Sequence, residues 1–162
     1  EEGLALSLFL DGELLERLES ADPLSRLHAD QLDDLWKVLE GLSHFNCVVW
    51  KASRDRSVSL LELELQAEID KFVGTTLLAL GQGRTEMLNH LHGWLFGKVS
   101  FHGELDEAQL VRYRDANDYA ARFCHALRGR LVGDEAAVLA ELRRFFRLPM
   151  TDKISHIHSQ TL

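Results

Sequence analysis

The sequence predicts an all-α fold, a single bundle of about six helices. Three observations point there. Stretch 57–80 repeats apolar residues at helical steps, namely Leu61, Leu65, Ile69, Phe72, Thr76 and Leu80, the spacing of one helix face. Prolines are confined to Pro23 and Pro149, both at expected connections. Glycines, Asp-led starts and short polar breaks divide the remainder into segments of helical length.

Each element has its own local reason. Residues 4–10 are ambiguous, because Leu4, Leu6, Leu8 and Leu10 alternate as a short extended segment would, while the run also suits a helix. Asp11 is placed to cap a helix through Leu14, Leu15 and Leu18 to about Ser20, and Ala21-Asp22-Pro23 breaks it. Asp30 is expected to cap the next helix, with Leu32, Leu35, Trp36, Leu39, Leu42 and Phe45 on one face. Residues 47–50 either continue that helix or form a strand paired with 61–65, and the helix is preferred. Ser59 and Glu62 have the spacing of a capping box, in which two side chains satisfy bare N–H groups at a helix start. Glu62, Glu64, Glu68, Asp70 and Lys71 are assigned to the side away from the core.

Gly81-Gln82-Gly83 ends this central rod. Residues 84–96 form the next helix, and 97–104 a connector in which 98–102 are a second candidate extended segment. Asp106 caps a helix to about Leu131, carrying Leu110, Tyr113, Ala116, Ala120, Phe123, Cys124 and Leu127. Asp134 caps a last strong helix with Val138, Leu142, Phe145 and Phe146, which Pro149 stops. Residues 151–162 read as a polar tail, and 1–162 as one helical domain.

Composition limits function. The net charge is −8, with 16 acids and 6 bases in residues 1–70 against 10 and 12 in the rest. Such a chain is a poor nucleic-acid binder, because phosphate contacts dominate that affinity. No run approaches the length of a membrane span. Acidic Glu1 and Glu2 precede the 4–10 run where a signal peptide needs positive charge. The chain does not open on Met, which reads as a trimmed or truncated start. Cys47 and Cys124 lie in apolar runs without a CxxC pair. Two buried thiols suit a reducing, cytoplasmic setting, although the sequence alone leaves a disulfide between them open.

Eight histidines are the only concentration of potential chemistry. Glu86 and His90 are four apart and could meet on one helix face, a Glu–His pair of the kind that carboxylate-bridged metal bundles use. Such centres use the pair twice with further acids, and no second copy stands out among the strongest helices. His90 and His92 sit at a two-residue step that sends helical side chains opposite ways. With Glu86 and Trp94 they are the candidates for a ligand pocket between helices. His156 and His158 would share a side of an extended tail, but two ligands make a weak zinc site. Trp36, Trp50 and Trp94 read as core. Nothing near His90 or His125 identifies a haem ligand, and no cofactor or metal is expected. There is no Gly-x-Ser-x-Gly elbow, phosphate-cradling glycine loop or His-Glu-x-x-His string.

The string His125-Ala126-Leu127-Arg128-Gly129 resembles the His-x-Leu-Lys/Arg-Gly element of histidine phosphotransfer domains, which are helical bundles. The resemblance covers five residues. It implies an exposed phospho-acceptor at His125, assistance from Arg128, and room for a response-regulator partner at Gly129. The residues beyond, 130–134, read as a helix ending rather than the family's continuing run of small residues. The first expectation is a non-enzymatic domain that binds another protein or itself, with residues 4–10 and 47–50 as a dimer face. A phosphotransfer module and a ligand- or metal-binding bundle are the alternatives.

Overall fold

The computed structural model describes residues 5–97 and 103–160. Within them are seven α-helices and no strand: α1 (Gly12–Ser20), α2 (Leu32–Ala52), α3 (Leu60–Gly81), α4 (Thr85–Phe96), α5 (Glu107–Gly133), α6 (Glu135–Arg147) and α7 (Met150–Ser159). The all-α bundle is as the periodicity predicts, with one helix more than expected. That extra helix is α7. The supposed polar tail starts after Pro149, whose fixed φ suits a helix start, and it buries Lys153 and Ile157. Four-residue spacing between these two places them on one face, a signal that the polar composition around them obscures.

The caps are largely as read. Asp11 accepts from the Leu14 N–H, Asp134 from that of Ala137, and Asp106 forms a full capping box with Gln109. Asp30 is a correction: it lies inside a 3-10 turn, Ala29–Gln31, and Gln31 leads into α2. The capping box at Ser59 is half formed. Ser59 accepts from the Glu62 N–H, but the Glu62 side chain turns inward to two lysines. Residues 47–50 continue α2, so the strand alternative falls. Residues 5–10 are neither helix nor strand, and 98–102 lie outside the described residues.

Helix α3 is the axis of the fold. It packs against α2, α4 and α5, while α5 in turn holds α6 and α7. No residue from 61 to 80 is exposed, so the charged side assigned to solvent is instead enclosed. Leu65, Ile69 and Phe72 share one apolar cluster with Phe123, Phe145 and Ile157. Phe123 stacks on Phe145 with ring centroids 4.3 Å apart, a favoured aromatic arrangement. The turn after α3 uses Gly83 at φ +67°, a conformation that costs glycine little. Beside it, the Gln82 amide accepts from the Leu27 N–H at 2.7 Å and donates to the Pro23 and Leu24 carbonyls at 2.8 and 3.0 Å. Loop 21–28 is thereby stitched to the end of the central helix.

The outer side of α2 is unusual. Val38, Leu42, Phe45 and Val49 recur at steps of four, three and four, and Leu42 and Val49 are each 40% exposed. Residues 5–10 lie alongside. A β-carbon at Gly41 would come within 3.1 Å of Leu10 and 3.4 Å of Leu8, so Gly41 makes the seat for these leucines. Phe9 between them points outward, 92% exposed.

Candidate functional site

Enclosing the charged side of α3 forces its groups to find partners, because a buried charge without one is costly. They gather in two clusters between α3 and its neighbours. In the first, Glu62 is 3% exposed and receives Lys153 Nζ at 2.7 Å on Oε1, while Lys51 Nζ lies 2.8 and 3.0 Å from its two oxygens. Burial alone would push the Glu62 carboxyl up, but the two ammonium groups more than offset it and hold it below its ordinary value. Burial pulls Lys153 down despite its bond to Glu62. Asp70 accepts from Ser43 at 2.6 Å and Gln66 at 2.8 Å nearby, and burial raises its carboxyl. A cavity of 480 Å³ opens beside the cluster, with Lys51, Arg56, Ser59 and Met150 in its wall.

The second cluster lies between α2 and α3. Glu40 and His44, four apart on α2, meet Glu64 of α3, and one ligand atom from each lies within 4.8 Å of the others. Lys71 Nζ bridges Glu40 at 2.6 Å and Glu68 at 2.7 Å. Burial pushes the Glu64 carboxyl up to about 7, with the negative charge of Glu40 next in effect. Burial also pulls His44 down. The 3.8 Å approach of His44 Nε2 to Glu64 is therefore not a full ion pair at neutral pH, since both groups are driven toward their uncharged forms. Nε2 is shut off from solvent and has no hydrogen-bond partner.

The expected site residues are dispersed. Glu86 bonds Arg84 rather than His90. His90 stacks on Trp94 at 5.2 Å, and Trp94 is 41% exposed rather than core. His92 turns the other way, placing Nε2 2.8 Å from the Ala121 carbonyl and its ring against Phe72, Phe96 and His125. These four thus form no common pocket. Trp36 and Trp50 are only half-buried: Trp36 packs against the core and donates to Thr75 at 3.0 Å, whereas Trp50 lies outside that cluster, against Phe146 and Arg54. His125 and Arg128 are both exposed on α5. His156 and His158 diverge because α7 is helical: His156 meets Glu141 and Gln160, while His158 faces Tyr119. Cys47 and Cys124 are free, buried thiols whose ionisation burial suppresses. Cys47 is therefore unavailable to a dimer face.

No protein-family model matches the chain, and no curated protein or solved structure matches it either. No helix among the described residues is long and apolar enough to cross a membrane.

Sequence reasoning passed over Glu40 and His44. They have the same four-residue spacing as Glu86 and His90, in a helix already recognised. Glu64 and Lys71 are visible in the sequence, but their charge alone points to water. A visible signal pointed inward: Leu61, Leu63 and Leu65 alternate with Glu62 and Glu64, so no clean charged stripe exists on this helix.

Proposed function

We propose that this chain is a non-enzymatic helical interaction domain that pairs with a second copy of itself through the outer side of α2, in a cytoplasmic setting and without nucleic acid. The observation that carries this reading is the apolar stripe Val38, Leu42, Phe45 and Val49, beside Gly41, on which Leu8 and Leu10 of the segment that also bears exposed Leu6 and Phe9 are seated. Steps of four and three are those of a helix–helix seam, and two copies of one stripe are complementary across a two-fold axis. The seam is narrow, so pairing is expected in the micromolar range. Light scattering across a concentration series should show mass rising toward twice 18.4 kDa. Leu42→Glu with Val49→Glu, both at half-exposed positions that folding tolerates, should keep the protein at one copy. A wild-type chain that stays single at concentrations on the order of 100 μM refutes the reading.

A second reading has one specific support. His125 and Arg128 are exposed on a bundle helix, toward its C-terminal end, and the space around Gly129 is open, as the resemblance to phosphotransfer domains requires. Incubation with a small phosphoryl donor should then yield an acid-labile phosphohistidine that His125→Gln abolishes. An unmodified wild-type chain sinks it.

A further inference from the structure

We propose that Glu40, His44 and Glu64 form a binding site for a divalent transition ion of borderline hardness, such as zinc. Helical spacing sets Glu40 and His44 on one flank of α2, and the packing of α2 on α3 brings Glu64 across to them. The three ligand atoms lie within 4.8 Å of one another. Bonds of about 2.0–2.2 Å need them drawn somewhat closer, a movement that rotation of two glutamate side chains supplies.

The decisive group is His44. Its Nε2 is sealed from solvent and unpartnered, whereas buried polar atoms are almost always satisfied. Its side chain lies beside Glu64, with Nε2 3.8 Å from the carboxylate. An imidazole nitrogen left without a partner beside two carboxylates is a ready ligand atom for a metal. One imidazole with two carboxylates suits zinc and its neighbours, whereas calcium and magnesium favour all-oxygen shells. Two carboxylates also match the charge of the ion. Lys71 does not block it, since Glu68 holds the ammonium if Glu40 turns away. Glu40 is partly exposed and opens the site to solvent. Three protein ligands leave one position for water or a further ligand.

The test is calorimetric titration of zinc into chelator-treated protein carrying no histidine tag. One ion per chain is expected, with affinity falling at least roughly tenfold in Glu40→Gln, in Glu64→Gln and in His44→Ala. His90→Ala, a surface control, should bind as wild type. Glu40→Gln alters a partly exposed side chain, so it reports even if the histidine variant folds poorly. Cobalt(II) should give a visible absorption band that the two glutamate variants lose. Absence of stoichiometric binding overturns the proposal. So does zinc binding that survives both glutamate substitutions, because the surface histidines would then account for it.

Discussion

Glu62→Gln is expected to cost about 3–5 kcal/mol of folding stability, the usual result of stripping a buried charge of its counterion. The amide keeps the shape of the side chain but cannot neutralise Lys51 and Lys153, both of which contact Glu62 within 3.0 Å. Lys153→Met should behave quite differently. It leaves Lys51 and Glu62 as a balanced pair, fills similar volume, and removes a cation that burial already disfavours. Its cost should lie within about 1.5 kcal/mol, and the lost approach to Phe145 and Phe146 is part of that. Urea unfolding of the two variants beside wild type provides the comparison, and equal costs would refute this account of the centre. The pH dependence carries a sign. The Glu62 carboxyl is depressed in the fold, so its contribution is complete above its ordinary value of 4.5 and is lost as pH falls below that. In Glu62→Gln the deficit should shrink toward alkaline pH, where a buried lysine sheds its proton more readily than an unfolded one.

Between about pH 5 and 7.5 wild type is expected to lose about 1–3 kcal/mol relative to Glu64→Gln in metal-free protein. The Glu64 carboxyl is raised to about 7 from 4.5, so the folded chain keeps a proton there that the unfolded chain has released. Stability from this group is therefore greatest in acid and declines as pH climbs through that window. The full shift sets the upper end of the range, and the position of Glu64 near solvent trims it. The facing groups are Glu40 and His44 on α2, Glu68 and Lys71 on α3, and Arg112 on α5. Comparing the two proteins at each pH cancels the titration of the other histidines. Parallel stability profiles would show that Glu64 titrates as an ordinary surface acid.

The sequence makes helices legible because periodicity and caps are local. Asp11, Asp106 and Asp134 each announce a start by a bond made within three residues. What surrounds a helix is not local. Enclosure of α3 by α2, α4 and α5 depends on chain distant in sequence, so Glu62 and Lys71 look like solvated residues until their partners are placed. Lys153 shows the same problem, sitting in a stretch whose polar composition suggests a tail although its ammonium reaches Glu62. The histidine spacings are a simpler matter. A two-residue step on a helix separates side chains, and the four-residue Glu40–His44 pair gained meaning only from Glu64 across the interface.

The order in which Glu62 meets its two lysines sets a timetable for synthesis. Lys51 lies 11 residues from it and Lys153 91 residues away. At bacterial-like translation speeds of about 5–20 residues per second, the second partner emerges roughly 5–20 s after the glutamate. A nascent chain can thus hold a neutral Lys51–Glu62 couple while the later helices are still being made. Docking of α7 then adds the surplus positive charge to a pair already formed, a later step that the ribosome itself delays.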